Sequence, residues 1–225
     1  MQHILDNPIW YALNTGNKKL SNGDNYVKYL KREAGLFAGL RENSSRDLFS
    51  LFEKTALGDS MVLFVLSKIS VPRGWQIMMK KPLLQMVYLH KELLMQRLGP
   101  VELTEKNVPA MLSLTALTEP GPFLPGTIEF GNYQGIFEGG ELIAMAGQRL
   151  QPYSYVEISA VCTHPDYTGK GYASLLIANQ ISNILKRSCV PFLHVLPENH
   201  AALSLYRKLG FEVRKEMLCY VLRRL

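Results

Sequence analysis

Apolar and polar positions follow two different periods in the second half of the chain, and the clearest change between them lies near residue 165. Residues 155–163 alternate with period two and are rich in Val and Ile, which predicts a strand. From Tyr172 to Arg187 the apolar residues recur at helical spacing. The glycine-bearing turn 168–171 joins these two segments. A strand, a glycine turn and a helix in this order aim unpaired backbone N–H groups and the positive end of a helix at an anion.

The pattern after residue 99 also predicts other strands and helices. Glu138-Gly139-Gly140-Glu141 separates two apolar runs and is typical of a hairpin. Prolines and glycines between residues 118 and 126 predict a stiff loop, in which Phe123 and Leu124 form either a wall of a substrate pocket or an ordinary surface crossing. The predicted strands are 101–104, 133–137, 142–146, 191–196, 211–213 and 217–222, and the predicted helices are 107–117 and 201–209.

Residues 1–98 have a less regular pattern, and we interpret them as an N-terminal half that precedes a second domain of residues 99–225. This half is either a degenerate copy of the second fold or a cap over its substrate. We find no combination of residues in it that is typical of a catalytic site. Residues 83–98 show no clear period and are left unassigned. Helices are predicted to begin at Pro8 and to cover 26–40 and 44–57, and strands to cover 61–67 and 75–79.

The composition narrows the class of protein. A hydrophobic fraction of 47% with 20% charged residues is typical of a globular domain. The apolar runs are too short for a membrane helix and no basic flank precedes an apolar run at the N-terminus, so we expect a cytoplasmic protein without membrane association. The net charge of +6 attracts polyanions, but the basic pairs form no tract. We therefore expect no nucleic-acid partner, because a phosphate-rich small molecule explains the same excess.

The three cysteines are Cys162, Cys189 and Cys219. They lack the paired spacing of a zinc site, and each lies among apolar residues. We interpret them as reduced, buried side chains and expect no metal site. A nucleophilic Cys162 is the alternative, but no base stands beside it in the sequence.

Two motifs together resemble the GNAT superfamily of acyl-CoA-dependent N-acetyltransferases. Residues 168–173 read Thr-Gly-Lys-Gly-Tyr-Ala, similar to the family's loop [Q/R]-x-x-G-x-[G/A] between a strand and a helix. Residues 199–211 contain Asn, Ala, Leu-Tyr and Gly-Phe at the spacing N-x-x-A-x-x-L-Y-x-x-x-G-F. The resemblance covers residues 101–225 and is closest to the branch related to glycine N-acyltransferases. Thr168 departs from the pattern, since Gln or Arg is usual there.

The resemblance implies an α/β (α+β) fold with a mixed, mostly antiparallel sheet flanked by helices, preceded by the smaller α+β N-terminal half. Two parallel central strands, 155–163 and 191–196, would splay apart and hold acetyl-CoA or coenzyme A between them. Backbone N–H groups of residues 168–173 would bind the pyrophosphate, and the pantetheine arm would pair with the preceding strand. The implied cofactor-binding residues are Val161, Cys162, Thr163, Thr168, Gly169, Lys170, Gly171, Tyr172, Ala173, Ser174 and Asn199.

The resemblance also implies catalytic roles. Glu157 is the candidate general base, and alternation along the strand would place it on one face with Ser159 and Val161, toward the cleft. Its alternative is a solvent-facing or salt-bridged strand residue. Tyr206 is the candidate general acid for the departing thiolate, or else a packing tyrosine. The Val161 N–H would stabilise the oxyanion.

Two further side chains have open assignments. Asn199 is both a candidate cofactor contact and an ordinary helix N-cap, and these two roles are compatible. His194, inside a predicted buried strand that faces the cleft, is the histidine that we would test first.

The function expected from the resemblance is transfer of an acetyl group from acetyl-CoA to a primary amine by direct attack in a ternary complex. The acceptor would be a small molecule, an amino acid or a peptide. The protein would act as a monomer or homodimer. The alternative is a non-catalytic module that binds or senses acyl-CoA.

Overall fold

The computed structural model describes residues 3–90 and 99–225. The helices are α1 (Pro8–Asn14), α2 (Ser45–Lys54), α3 (Val108–Thr118), α4 (Tyr172–Lys186) and α5 (His200–Lys208). The strands are β1 (Ser21–Gly23), β2 (Val27–Leu30), β3 (Ala38–Leu40), β4 (Ser60–Val65), β5 (Trp75–Tyr88), β6 (Val101–Glu102), β7 (Gln134–Glu138), β8 (Glu141–Gln148), β9 (Tyr155–Thr163), β10 (Val190–Val195) and β11 (Phe211–Arg224).

One large sheet organises the described residues. Its eight strands have the order β4-β11-β5-β10-β9-β8-β7-β6, and a separate three-stranded sheet has the order β1-β2-β3. Within the large sheet β9 and β10 are parallel, and the other neighbouring strands that the structure describes are antiparallel. This confirms the predicted fold class, a mixed and mostly antiparallel sheet flanked by helices.

Helices cover both faces of the large sheet. On one face α4 and α5 pack against β5, β9 and β10, through Met86, Ile158, Ile177, Ile181, Leu193 and Leu203. On the other face α1 and α3 pack against the same sheet, through Ile9, Met111, Met145, Cys162 and Phe192. We call these the α4 face and the α1 face. A strand in the middle of the sheet therefore has apolar neighbours on both sides.

Buried amide side chains fix α4 against β8. Gln148 donates to Gln180 Oε1 at 2.8 Å, and Gln180 donates in turn to the Asn132 carbonyl at 2.8 Å. Arg187, at the end of the helix, donates to Gln148 Oε1 at 2.6 Å. Because buried polar groups are costly unless they are paired, this network fixes both the rotation and the position of α4. The beginning of α4 is therefore held in one place relative to the strands.

The sequence prediction for residues 26–40 is wrong: they form β2 and β3 instead of a helix. Asp24 Oδ1 accepts hydrogen bonds from the backbone N–H groups of Tyr26 and Val27, a local turn that starts a strand. Pairing of β2 with β1 on one side and β3 on the other then fixes the extended conformation. The apolar spacing suited either period, and long-range pairing decided the outcome.

The two long strands also differ from their predictions. β5 continues to Tyr88, well beyond the predicted residues 75–79, and it covers part of the segment that was left unassigned. Residues 91–98 of that segment lie outside the described residues. The two predicted strands 211–213 and 217–222 are the single strand β11, which has a register shift between Val213 and Lys215. The bulge interrupts the alternation, so the pattern looked like two strands.

The large sheet contains strands from both sides of residue 98. β4 pairs with β11, and β5 lies between β10 and β11. The division of the chain into domains at this residue stays a prediction. None of the described helices is both long and apolar enough to cross a membrane.

Candidate functional site

The parallel strands β9 and β10 separate along their length. Their pairing extends from Val190 and Tyr155 to Phe192 and Glu157. Beyond the last pair a cleft of about 640 Å³ opens, lined by residues 158–163 of β9 and by residues 194–196 at the end of β10. A cleft of this volume is large enough to bury most of a small ligand.

A bulge in β9 shapes one wall of the cleft. Ser159 lies opposite Gly147 of β8, and Cys162 lies opposite Met145, so β9 has one more residue than β8 between these two pairs. Within this interval Ala160 has a left-handed backbone with a φ of 51°. A bulge of this kind leaves part of the strand backbone without a partner. The position of the bulge is compatible with the predicted oxyanion contact from the next backbone N–H.

The bulge reverses the alternation of side chains along β9. Cys162 packs on the α1 face together with Tyr155, whereas Val161 packs on the α4 face. Glu157 lies on the same side of the strand as Tyr155. The prediction that Glu157 and Val161 share a face is therefore wrong, because a single extra residue moves every later side chain to the opposite face.

Glu157 is fully buried and carries a dense set of hydrogen bonds. Arg149 donates from Nε to Oε2 at 2.8 Å and from Nη2 to Oε1 at 2.7 Å. The Leu150 backbone N–H also contacts Oε2 at 3.3 Å, and His194 Nδ1 lies 2.6 Å from Oε1. Glu157 has an exposed fraction of 0% and is not among the residues that line the cleft. The structure therefore shows the salt-bridged strand glutamate that was the alternative to a base facing the cleft.

The charge state of Glu157 also argues against a role as proton acceptor. Burial alone would raise the pKa of Glu157, but the charge and hydrogen bonds of Arg149, together with the hydrogen bond from His194, outweigh burial and lower the pKa to about 2. A carboxylate with such a low pKa is a weak base near neutrality. Its bidentate contact with Arg149 also occupies both of its oxygens.

The hydrogen-bond network assigns the tautomer of His194. Arg214 donates from Nη1 to Gln85 Oε1 at 2.7 Å, which fixes the orientation of the Gln85 amide because a guanidinium only donates. Gln85 Nε2 then donates to the Leu5 carbonyl at 2.9 Å and approaches His194 Nε2 at 3.1 Å. His194 Nε2 is therefore the acceptor, and Nδ1 carries the hydrogen toward Glu157. The histidine is held at both nitrogens.

Tyr206 is the residue for which the resemblance implies the role of general acid. It lines the cleft from α5, and its exposed fraction is 9%. Burial raises the pKa of Tyr206 to about 12. Within the described residues no hydrogen-bond partner occupies its hydroxyl. The phenol therefore keeps its proton near neutrality and can donate it into the cleft.

The glycine turn has the backbone that an anion site requires. Gly169 and Gly171 have φ angles of 76° and 84°, in the left-handed region that favours glycine. Gly171 is the N-cap of α4 and provides no side-chain cap, and the first helical bond runs from Leu175 N to Gly171 O at 3.0 Å. The N–H groups of the first helical turn, residues 172–174, therefore point outward without an internal acceptor.

One predicted donor of this turn already has an internal partner. The Thr168 N–H donates to the Pro165 carbonyl at 3.3 Å, and the Thr168 hydroxyl donates to the same oxygen at 3.0 Å. Thr168 therefore cannot offer its backbone donor to a phosphate without losing this turn. A Cβ at Gly169 or Gly171 would meet open space, so glycine is required there for its φ angle and not for room.

The other predicted cofactor residues fall into two groups. Val161, Cys162, Thr163 and Asn199 line the cleft, whereas Gly169, Lys170, Gly171, Tyr172, Ala173 and Ser174 lie outside its lining, in the turn and the first turn of α4. The buried Thr163 hydroxyl has no partner among the described residues. An orphaned polar atom inside the cleft fits a ligand with amide groups such as the pantetheine arm. Asn199 accepts from Ala202 N at 3.1 Å, which confirms the N-cap.

The thiols of the cleft are not activated. Burial raises the pKa of Cys162 to about 11, and it raises the pKa of Cys219 to about 11 as well. Both cysteines line the cleft and are reduced. Because the thiolate is the nucleophile, these two thiols are poor candidates for a covalent intermediate. Within the described residues no group of three or more His, Cys, Asp or Glu side chains could hold a metal ion.

Sequence reasoning missed several residues of the site. Arg149 follows β8, and its guanidinium lies over the Phe37 ring at 4.6 Å. Phe64 also lines the cleft, and so does Glu119, a residue of the loop 118–126 that ends α3 with a left-handed φ of 45°. A loop was predicted there, but nothing in the sequence indicated that Phe37 and Phe64 from the first half would reach it.

Comparison with known proteins gives a consistent result. A family model described as FR47-like protein matches residues 133–221. A solved structure from Novosphingobium aromaticivorans, described as an acetyltransferase of the GNAT family, is 32% identical, covers 100% of both chains and has a TM-score of 0.93. A GCN5-related N-acetyltransferase from Kribbella flavida has a TM-score of 0.57 at 16% identity, and covers 96% of this chain and 95% of that one.

The curated relatives match a shorter part of the chain. N-alpha-acetyltransferase RimI from Mycobacterium tuberculosis is 34% identical over 85 residues, which are 36% of this chain and 52% of RimI. The chain thus spans about half of the length of that relative. The full-length likeness to the Novosphingobium structure, together with the geometry of the cleft, identifies the family. The chain belongs to the GNAT family of acetyltransferases.

Proposed function

We propose that this protein transfers an acetyl group from acetyl-CoA to the primary amine of an acceptor by direct attack in a ternary complex. The observation that carries the proposal is the cleft at the separation of β9 and β10. Its lining includes Tyr206 and Asn199 from the α4 face and also Phe37, Phe64 and Arg149 from the α1 face. One opening can therefore admit two reactants from opposite faces of the sheet.

The residues on the α4 face fit coenzyme A. When bound, the cofactor supplies an acetyl thioester. The free N–H groups at the start of α4 would bind its pyrophosphate, and the orphaned Thr163 hydroxyl would bond an amide of its arm. The Val161 N–H at the bulge would donate to the oxygen that becomes negative, a contact typically worth about 2.7–4 kcal/mol in the transition state.

For proton transfer we propose a carboxylate other than Glu157. Glu157 is locked to Arg149, whereas Glu119 is an exposed carboxylate on the cleft with no partner among the described residues. We assign to Glu119 the proton that an ammonium group must lose before its nitrogen can attack. Tyr206 would donate its hydroxyl proton to the thiolate as the carbon–sulfur bond breaks, and the second proton that the nitrogen loses on forming the amide would restore the Tyr206 hydroxyl. Glu157 becomes a positioning residue that holds Arg149 and His194.

Direct attack is favoured over an acyl-enzyme for a chemical reason. Cys162 and Cys219 are the thiols of the cleft, and the raised pKa of each keeps it protonated. Neither thiol has a base that would activate it among the described residues. The nitrogen nucleophile of the acceptor is therefore the best one available in the cleft.

Several finer expectations belong to the same proposal. We place the protein in the cytoplasm, as a monomer or homodimer, with a small molecule, an amino acid or a peptide as acceptor. Its likeness to the glycine N-acyltransferase branch rests on the two motifs alone. RimI is named as an N-alpha-acetyltransferase, and a peptide acceptor for this chain is part of the proposal and is tested with the others.

Coenzyme release tests the function directly. The protein is incubated with acetyl-CoA and a panel of amines, amino acids and peptides, and free thiol is followed with a thiol reagent. We expect thiol to appear with at least one acceptor, faster than spontaneous hydrolysis, and the acetylated amine to be seen by mass spectrometry. Tight binding of acetyl-CoA with no thiol released by any acceptor would favour the non-catalytic binding module instead.

A further inference from the structure

The acceptor side of the cleft carries features that the acetyl transfer does not use. Beside the cleft lies a recess of about 20 Å³, lined by Arg149, Ser159, Tyr133 and residues of the loop 118–126. The recess shares Arg149 and Ser159 with the cleft, so the two spaces adjoin. A space of this size holds one oxygen atom, since a single water needs roughly 10–15 Å³.

The side chains around this recess present free hydrogen-bond donors. Arg149 uses Nε and Nη2 for Glu157, and this leaves Nη1 without a partner in the part of the chain that the structure describes. The hydroxyls of Ser159 and Tyr133 also lack a hydrogen-bond partner there. Burial raises the pKa of Tyr133, so its hydroxyl keeps its proton. Residues with one guanidinium and two hydroxyls therefore line a space for one oxygen.

This donor set favours an anionic oxygen. A guanidinium and a carboxylate form hydrogen bonds that are shorter and stronger than those between neutral groups. A ligand that displaces water from these donors must pair with them, so pairing contributes to specificity. We call the space that Arg149, Ser159 and Tyr133 line the oxygen recess.

The wall next to the oxygen recess is apolar. Phe37 and Phe64 flank Arg149, at 4.6 and 5.9 Å from its guanidinium carbon to the ring centres. Val62, Leu83 and Met79 continue this wall along the cleft. A hydrophobic side chain placed there would be removed from water, which contributes roughly 25 cal/mol for each Å² of apolar surface buried.

The rim of the same cleft carries the opposite charge. Glu119 lies on the loop that also borders the oxygen recess, and its carboxylate is exposed. An ammonium group that enters beside Glu119 would find a complementary charge there. A single ligand with a carboxylate at Arg149 and an ammonium group near Glu119 would be a zwitterion.

We infer that the acceptor is a free amino acid with an apolar side chain, which is bound by its carboxylate in the oxygen recess. The inference rests on the proposed acetyl transfer and adds the class of its acceptor. The side chain lies against Phe37 and Phe64, and the amine faces the gap between β9 and β10. Glycine, which has no side chain to fill the apolar wall, is a poor acceptor.

A matched set of acceptors tests this inference by thiol release. L-phenylalanine is compared with phenethylamine, which has the same ring and amine without the carboxylate, with L-phenylalaninamide and with glycine. We expect kcat/KM for L-phenylalanine to exceed the values for phenethylamine and L-phenylalaninamide by at least about tenfold, since a charge-assisted hydrogen bond is worth this much. Glycine keeps the carboxylate, and we expect it to be slower than L-phenylalanine because it leaves the apolar wall unfilled. Equal values for L-phenylalanine and phenethylamine would overturn the inference, while thiol release with both would leave the acetyl transfer standing.

Variants at the oxygen recess provide a second readout that keeps the Arg149–Glu157 pair intact. Ser159→Ala and Tyr133→Phe each remove one hydroxyl, and each is expected to reduce the preference for L-phenylalanine over phenethylamine by several-fold. A preference that is unchanged in both variants would contradict the assignment of the carboxylate to the recess.

A binding measurement separates the inference from turnover. 3-Phenylpropionate has the ring and the carboxylate but no amine. We expect it to inhibit competitively against the acceptor and to raise the melting temperature of the acetyl-CoA complex more than phenethylamine does. Failure of both effects would overturn the inference. If none of the acceptors led to thiol release, the proposed function would be overturned together with it.

Discussion

Replacing Arg149 by Met is expected to lower the free energy of unfolding by about 3–5 kcal/mol, because it leaves a buried carboxylate without its cation. Glu157 has an exposed fraction of 0%, and two of its hydrogen bonds come from the Arg149 guanidinium. His194 remains as a hydrogen-bond partner of Oε1. The loss is measured by urea unfolding at neutral pH, followed by far-UV circular dichroism.

Two controls make this result specific. The double variant Arg149→Met with Glu157→Gln removes both charges, and we expect it to be more stable than Arg149→Met alone. Lys170→Met removes an exposed cation that contacts only the Tyr167 ring among the described residues, and its effect should stay within about 0.5 kcal/mol. A stability of Arg149→Met within about 1 kcal/mol of the wild type would show that the buried pair does not hold this part of the sheet.

Replacing Tyr206 by Phe is expected to reduce kcat by about 100-fold, because the departing thiolate loses its proton donor. The ring and its packing on α5 remain, so KM for acetyl-CoA should change little. The measurement is the rate of thiol release at saturating acetyl-CoA and acceptor. A fall in kcat with an unchanged KM separates a chemical role from a binding role.

The matched control is Tyr220→Phe, which changes another buried tyrosine, on β11, that does not line the cleft. We expect this variant to keep at least half of the wild-type rate. A kcat of Tyr206→Phe within threefold of the wild type would remove Tyr206 from the proposed proton transfer. Thiolate would then leave without help from this side chain.

The local elements of the cleft could be predicted from the sequence because their signals are local. The strand 155–163 was predicted with the same bounds that the structure shows, and the helix after it ends at Lys186, one position before the predicted end. Alternation, a glycine turn and helical spacing lie within short windows, and each follows from backbone geometry. The helix prediction for residues 26–40 failed because their apolar spacing suited two periods. Pairing with distant strands decided between the two.

The partner of Glu157, and its face relative to Val161, could not be predicted, for two physical reasons. The bulge at Ala160 adds one residue to β9 and reverses the face of every later side chain, and a pattern of apolar residues does not reveal it. The contact with Arg149 depends on β8 and β9 lying side by side, and this arrangement is a property of the tertiary structure. A buried glutamate in a strand required a partner, but the sequence did not show which cation would provide it.

The residues on the acceptor side of the cleft could not be predicted from the sequence either. Phe37 lies just before β3 and Phe64 lies within β4, far along the chain from Arg149 and Ser159. They meet in the cleft because β4 lies in the large sheet and a bridge joins Phe37 to Val62. Of the predicted loop 118–126, residues 119–124 form a loop, whereas Thr118 ends α3 and Pro125 begins a 3₁₀ helix. Phe123 lines the oxygen recess.

The central claim is that the gap between β9 and β10, together with the start of α4, binds acetyl-CoA. Isothermal titration of the protein with acetyl-CoA tests it most directly, with Gly171→Val as the matched variant, because valine is strained at a φ of 84° and would displace the N–H groups of the turn. We predict one site per chain with a dissociation constant of roughly 1 μM to 1 mM, the usual range of substrate affinity, and binding at least about tenfold weaker in the variant. No heat and no thermal protection by acetyl-CoA in the wild-type protein would contradict the account.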